Sequence, residues 1–266
     1  MEIVSDTYLK QEEWDIAIGL QLVDNLHPSK YFKNIIRDHI NGEKTLIEIE
    51  DDLNKYYKKQ EVLNREELEC DLVSTRIVKL LEDDYFELSL DYFKKIHKVL
   101  FKDIYLFAGK FRDYNFSKRE IVLNNDSALY GDYHNLEKCL EYDIKEESKK
   151  NYKNMTTEEQ IKSIAEFTSN IWQIHPFPEG NTRTTAIFIQ KYLKKLKYKV
   201  DNSLFKDKSI YYRNSLVRSN YYNEKNGIKQ TNTYLIKFYE NLLLGKNNNL
   251  NSKDMIINWL WYKLLI

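Results

Sequence analysis

Apolar residues recur at intervals of three and four along most of the chain, which is the period of an amphipathic helix. The two clearest runs lie on either side of one loop. The first holds Ile161, Ile164, Phe167, Ile171 and Ile174, and the second holds Ala186, Ile189, Leu193 and Leu196. Thr156 and Glu159 form a capping box that predicts where the first helix begins. Pro176 and Pro178 predict that it ends near residue 174 or 175, because the residue before a proline is disfavoured in helix.

The loop between these helices, HPFPEGNTR (175–183), carries the densest chemistry in the chain. The second helix is predicted to begin near Asn181, so its first N–H groups lack partners and could bind phosphate. Arg183 offers a guanidinium fork for phosphate oxygens. Glu179 offers a hard oxygen ligand for Mg²⁺, and His175 can accept a proton near neutral pH. This combination predicts phosphoryl or nucleotidyl transfer.

Three short helices are predicted over residues 12–62. The first has Ile16, Leu20 and Val23 on one face, and Asn25 can adopt the left-handed cap that ends it. Ser29 can cap the second helix, while Thr45 and Glu48 form a capping box for the third. So short a segment buries too little surface by itself, so we expect it to dock on the rest of the chain.

The one strand-like stretch is REIVLNNDSALYG (119–131), in which β-branched residues are followed by turn-forming residues. The remainder, including residues 203–245, is helical in pattern. The predicted fold is therefore all-α, or mainly helical, with one small β-hairpin and a small three-helix domain at the N-terminus. Arg112 and Arg213 are each open to a structural role or a ligand contact, with the structural role favoured.

Lys plus Arg and Asp plus Glu both number 41, so the net charge is zero and favours neither DNA nor membrane binding. The N-terminus shows no apolar signal region, and no apolar run is long enough to cross a bilayer. We expect a cytoplasmic protein in which Cys70 and Cys139 are buried as small apolar residues. The tail MIINWLWYKLLI (255–266) is expected to pack on the domain or on a partner chain. Homo-oligomer formation stays open.

The loop HPFPEGNTR resembles the Fic signature, His-x-Phe-x-(Asp/Glu)-Gly-Asn-(Gly/Lys)-Arg. LFKDIYLFAGKFRDYNFSK (100–118) and YYRNSLVRSNYY (211–222) resemble flanking segments of Fic domains, and the similarity spans about residues 63–245. The resemblance implies a Fic-type helical bundle. It also implies an enzyme, a nucleotidyltransferase that moves AMP from ATP to a hydroxyl of a target protein with Mg²⁺ as cofactor.

The resemblance also implies a role for each residue of the loop. His175 would deprotonate the target hydroxyl, and Glu179 would hold Mg²⁺ on the phosphates. Asn181 and the backbone of Gly180–Thr182 would cradle the phosphates, while Arg183 would hold the nucleotide. Phe177 would anchor this nucleotide-binding loop in the core.

Fic proteins carry a short hairpin flap that pairs with the target segment by strand addition, and the resemblance places it within residues 119–131. Main-chain hydrogen bonds would then hold the target. Ile121, Val122 and Leu123 are the candidate flap residues. The alternative is a small hairpin with a structural role alone.

Two positions depart from the Fic pattern. Thr182 stands where the signature has Gly or Lys, and Ala186 stands where AMP-transferring members have a second arginine for the γ-phosphate. Doc kinases also lack that arginine but carry Lys at the first of these positions. AMP transfer is favoured because Glu179-Gly180 is intact and the Lys is absent. The alternatives are a Doc-like phosphotransferase and a non-catalytic nucleotide-binding regulatory module.

Residues 13–45 resemble the VbhA-type antitoxin domain, in which Ser/Thr-x-x-x-Glu-Gly/Asn carries a glutamate that blocks γ-phosphate binding. Here Asp24 and Asn25 take the last two positions, and Leu20 replaces the Ser/Thr. With Ala186 at the arginine position, Asp24 could inhibit through another partner such as Arg183, or be an ordinary exposed acid. The implied organisation is an antitoxin-like inhibitory domain (1–62), a Fic domain (63–245) and a tail (246–266).

Overall fold

A computed structural model of the chain describes residues 6–200 and 203–257, and it confirms the predicted helical fold class. Within those residues there are ten α-helices and one two-stranded sheet. In chain order the elements are α1 (Asp6–Gln21), α2 (Lys30–Ile40), α3 (Leu46–Lys58), α4 (Arg65–Glu82), α5 (Leu90–Phe101), β1 (Ser117–Arg119), β2 (Ser127–Leu129), α6 (Leu136–Ser148), α7 (Thr157–Ile174), α8 (Asn181–Lys195), α9 (Ser203–Asn220) and α10 (Thr233–Leu244).

The helices α2 and α3 begin where their capping residues predict, whereas α1 starts earlier than residue 12 and ends at Gln21, before the short turn that Asn25 closes. Ser29 caps α2 by accepting a hydrogen bond from the Phe32 N–H. Thr45 and Glu48 form the predicted capping box of α3. Asn25 has a φ of 56°, the left-handed conformation that ends the short turn after α1. Local side-chain signals therefore account for the starts of α2 and α3.

These N-terminal helices share one core with the rest of the chain. Trp14 of α1 is fully buried, and α1 packs against α4 and α9. Asp71 of α4 accepts hydrogen bonds from Ser29 N (3.1 Å), Ser29 Oγ (2.6 Å) and Tyr57 Oη (2.6 Å). Burial raises the pKa of Asp71 to about 6, against the opposing effect of those bonds. The segment is thus docked on α4 by a buried polar cluster as well as by apolar packing.

The helix–loop–helix centred on residues 175–180 is present as predicted. The capping box of Thr156 and Glu159 begins α7. His175 ends α7 in the left-handed conformation with a φ of 49°, and Gly180 has a φ of 80° immediately before α8. The two left-handed residues turn the chain at both ends of the loop, so that α8 starts at Asn181.

The predicted hairpin is present, but the candidate flap residues Ile121, Val122 and Leu123 lie in its turn rather than in a strand. The strands are β1 and β2, which pair in an antiparallel register with Lys118 opposite Ala128. Residues 121–123 form a 3₁₀ turn between them. Val122 and Leu123 point into the core, whereas Ile121 is 81% exposed. Burial of the two apolar side chains outweighs their β-propensity.

Cys70 is buried as expected, but the expectation for Cys139 was wrong because its side chain is exposed. The buried face of α6 is formed by residues at a spacing of four, Leu136, Leu140 and Ile144, and Cys139 lies off that face.

In the predicted tail, Met255 and Ile257 are buried, while Trp259 and Trp261 lie outside the described residues. No helix within 6–200 or 203–257 has the length and apolarity needed to cross a membrane.

Candidate active site

His175 lies at the junction of α7 and the loop, and its side chain is almost completely buried. Its ring stacks on Tyr130 with 3.8 Å between ring centroids. Nδ1 lies 3.2 Å from the carbonyl oxygen of Trp172. Because a carbonyl oxygen can only accept a hydrogen bond, Nδ1 carries the hydrogen and the lone pair is on Nε2. This tautomer is the one that a general base requires.

The charge state of the imidazole follows from its surroundings. Burial lowers the pKa of His175 well below 6.5, and the cations Lys118, Arg213 and Arg112 lower it further. The ring is therefore neutral at pH 7, and these surroundings disfavour its protonated form. The same cations make this region favourable for an anion.

Arg112 holds the backbone of this junction in place. Its Nε donates to the carbonyl oxygen of His175 at 2.8 Å, and Nη1 donates to that of Tyr114 at 2.5 Å. Its Nη2 donates to the carbonyl oxygens of Ile174 and Gly131. The favoured structural role for Arg112 agrees with these contacts, which hold backbone carbonyl groups around residue 175.

Glu179 has a half-exposed side chain, and both of its carboxylate oxygens lie close to the ammonium of Lys118, at 3.3 and 3.4 Å. Its backbone carbonyl oxygen lies 3.0 Å from Nε2 of His97. The Gly109 N–H donates to Nδ1 of His97 at 2.8 Å, so Nε2 carries the hydrogen and donates to Glu179. Burial lowers the pKa of His97 to about 3, which keeps this bridge neutral.

His97 is a site residue that the sequence analysis missed. Its ring stacks on Phe177 at 3.6 Å, so it fixes two residues of the loop at once. The available signal was its position in the helical repeat of α5, four residues after the buried Phe93. A histidine on an apolar helix face is also compatible with ordinary packing, so this signal alone did not identify it.

Glu179 is compatible with magnesium binding, but the protein offers no preformed cage. Among residues 6–200 and 203–257, no group of three or more His, Cys, Asp or Glu is arranged to hold a metal. Mg²⁺ commonly binds through one or two carboxylates together with phosphate oxygens and water. A single half-exposed carboxylate fits that mode, in which the phosphates complete the ligand set.

Asn181 is directed at the loop backbone rather than at open space. Its Oδ1 accepts from the Phe177 N–H at 2.9 Å, and its Nδ2 donates to the Phe177 carbonyl oxygen at 2.7 Å. Phe177 is fully buried, consistent with its expected anchoring role. The side chain of Asn181 therefore shapes the loop, and the predicted phosphate contact would fall to backbone N–H groups.

Gly180 and Thr182 both lie against aromatic rings. A Cβ at Gly180 would lie 2.3 Å from the Phe101 ring, so this position has no room for a side chain. Thr182 Oγ1 accepts from Trp172 Nε1 at 3.0 Å. Ala186, which stands at the place of the second Fic arginine, has no charge and is fully buried.

Arg183 is fully buried and bound by three segments of the chain. Nη2 lies 2.7 Å from Glu69 Oε1, and Nη1 donates to Gln21 Oε1 at 2.9 Å. Nε lies 3.0 Å from Asp24 Oδ2, with its N–H not aimed at that oxygen, so this contact is an ion pair rather than a full hydrogen bond. The guanidinium also lies over the Phe101 ring, 4.8 Å from its centroid.

These contacts bear on two predictions from the sequence. Arg183 is the alternative partner considered for Asp24, and the two are in contact. Arg183 was also expected to hold the nucleotide, but in this structure protein acceptors occupy its guanidinium. Arg213 has the structural role favoured for it, because it pairs through two bonds of 2.7 and 2.8 Å with the buried Glu120.

Comparison with known proteins agrees with the helical fold and with the resemblance of the loop to the Fic signature. Residues 87–193 match the model of the Fic/DOC family. Over 113 residues the chain is 28% identical to the protein adenylyltransferase VbhT of Bartonella schoenbuchensis, a match that covers 42% of this chain and only 22% of that relative. A crystal structure of a Fic family protein from Desulfovibrio desulfuricans G20 superposes with a TM-score of 0.55 at 14% identity, over 94% of this chain and 68% of the other. The chain therefore contains a Fic/DOC family domain and has the helical fold of a Fic protein.

Proposed function

We propose that this protein is a Fic-type adenylyltransferase that transfers AMP from ATP to a hydroxyl side chain of a target protein. We further propose that its N-terminal segment holds it in a low-activity state. The observation that carries the proposal is the loop 175–183, where a neutral histidine with an available Nε2 lone pair precedes the start of a helix. The relative VbhT, named a protein adenylyltransferase, supports the choice of AMP.

The chemistry follows from the residues of the loop. Nε2 of His175 would take the proton of the target hydroxyl as its oxygen attacks the α-phosphorus of ATP. The new O–P bond forms as the bond from the α-phosphorus to its leaving oxygen breaks, and diphosphate leaves with that electron pair. Backbone N–H groups at the start of α8 would stabilise the phosphate charge. Mg²⁺, when held by Glu179 and the phosphates, would supply positive charge there.

The partners of Arg183 suggest how the N-terminal segment would hold the enzyme in a low-activity state. To bind a phosphate, its guanidinium would have to give up Asp24, Gln21 or Glu69, since all three lie within hydrogen-bonding distance of it. Two of these, Gln21 and Asp24, belong to the N-terminal segment. The segment therefore competes with the nucleotide for the same cation.

A target segment has a surface available beside His175. A cleft of about 600 Å³ opens next to β2 and between α6 and α7, and its lining includes Tyr130, Tyr142, Asn170 and Gln173. Tyr130 lines the cleft and stacks on His175, although His175 itself is not part of the lining.

The test uses the full chain and its Asp24→Ala variant with ATP labelled at either the α- or the γ-phosphate. We expect the α-label to move to protein, with a mass increase of one AMP. Transfer of the γ-label would establish the Doc-like phosphotransferase. Tight nucleotide binding without any transfer would establish the regulatory module.

A variant at the proposed base sharpens this test. His175→Ala should reduce transfer by about 10²–10⁴, the usual contribution of a positioned base, while nucleotide affinity stays nearly unchanged. Transfer at the native rate by the folded variant would show that His175 is not the base.

A further inference from the structure

Lys118 is placed at the open side of the loop by the hairpin. It is the central residue of β1, and its side chain is 32% exposed. Its Nζ lies 3.4 Å from Oε1 and 3.3 Å from Oε2 of Glu179. Its ammonium charge therefore lies beside the carboxylate that would hold Mg²⁺.

The other cations of the site are committed to the protein itself. Arg112 donates to backbone carbonyl oxygens around residue 175, and Arg213 forms a two-bond pair with the buried Glu120. Arg183 has no exposed surface and would reach a phosphate only after leaving the acidic and amide side chains that bind it. Of these four cations, Lys118 is the one whose ion-pair partner is itself a proposed ligand-binding group.

We propose that Lys118 binds the phosphates of ATP in place of the arginine missing at position 186. This inference rests on the proposed function, because it takes a nucleoside triphosphate as the ligand. Ala186 is fully buried and uncharged, so the contact that the second arginine makes in AMP-transferring Fic members would have to come from another element. The hairpin supplies that element through β1.

The ion pair with Glu179 gives the two side chains a way to change partners together. When ATP and Mg²⁺ are bound, the carboxylate would turn to the metal and the ammonium to a phosphate oxygen. Neither charge would then be left without a counter-charge, which is the costly outcome when ions are partly buried. A lysine suits this exchange because it is a single charge on a flexible stem, unlike the fixed fork of an arginine.

The experiment measures ATP affinity by calorimetry in the presence of Mg²⁺, for the wild type and for Lys118→Met. Arg119→Met is the matched control, since it removes the same charge from the next residue of β1, whose exposed side chain points to the opposite face. Loss of a charge-assisted hydrogen bond predicts that Lys118→Met binds ATP about 10- to 100-fold more weakly. Adenosine affinity should be unchanged, and Lys118→Arg should recover part of the ATP affinity.

Two results would overturn the inference, and they are distinguishable. If Lys118→Met binds ATP as tightly as Arg119→Met does, Lys118 is not the phosphate ligand. That result would leave the proposed transfer of AMP standing. If neither the wild type nor Asp24→Ala binds ATP, the proposed function fails together with this inference. Thermal melting of each variant verifies the fold, and Lys118→Gln replaces Lys118→Met if that variant does not fold.

Discussion

The ion pair between Asp24 and Arg183 offers the most direct test of restraint by the N-terminal segment. Removing one partner of a buried ion pair costs about 3–5 kcal/mol when the remaining charge has no other partner. Here Glu69 still lies 2.7 Å from Arg183, and the Asp24 side chain is 25% exposed. We therefore expect Asp24→Ala to lower the free energy of unfolding by about 1–3 kcal/mol.

Asp15 provides a closely matched control in the same segment. Its side chain is also 25% exposed, and its Oδ2 also lies 3.0 Å from a cation, Lys206 of α9. Lys206 is half exposed, however, and the pair involves none of the loop residues. Exposed ion pairs contribute about 0–1 kcal/mol, so Asp15→Ala should be nearly neutral.

The two variants are compared by urea unfolding, by calorimetric ATP binding and by transfer of α-label to protein. Asp24→Ala should be less stable than Asp15→Ala yet should bind ATP more tightly and transfer more label. If ATP can bind only after Asp24 has left Arg183, the Asp24→Ala variant no longer spends free energy on that displacement. A displacement free energy of about 1.4 kcal/mol would give this variant a tenfold higher ATP affinity than the wild type. Equal transfer by the two folded variants would refute restraint through Asp24.

Two further predictions concern the residues that shape the loop. Gly180→Ala should lower the free energy of unfolding by about 2 kcal/mol or more, because the φ of residue 180 is 80° and the new Cβ would meet Phe101. Urea unfolding measures this change, and a neutral effect would contradict the close packing of Gly180 on Phe101. For His97, the folded-state pKa of about 3 lies below the ordinary 6.5, so between these values the unfolded chain binds a proton that the folded chain does not. Stability should therefore fall as the pH drops through this window, by up to about 1.4 kcal/mol per pH unit, and His97→Gln should flatten that slope. An unchanged slope would contradict a neutral His97 in the fold.

Local sequence signals were enough to place most helices and the central loop. The proline at 176 and the glycine at 180 act on neighbouring backbone, so their effects can be read without knowing the tertiary structure. Residues 121–123 show the limit of that approach. Ile121 and Val122 are β-branched, which predicts a strand, but Val122 and Leu123 are buried in the core. The Val122 carbonyl oxygen also accepts from the Ile257 N–H at 3.0 Å.

The candidate site was only partly predictable for the same reason. The chemistry within residues 175–183 is contiguous and was recognised from the motif. The partners of Arg183 are distant along the chain, since Gln21 and Glu69 are 162 and 114 residues away from it. Periodicity and motifs carry no information about such pairings, and only the resemblance of residues 13–45 to an antitoxin domain suggested Asp24.

The pair of hydrogen bonds between Asn181 and the Phe177 backbone has a consequence for ligand affinity. Because these bonds, together with the contacts of His97, close the loop within the protein, the conformational entropy of ordering residues 177–181 is lost during folding. An incoming anion then meets amide groups whose directions are already set, and its association is not weakened by having to freeze the chain.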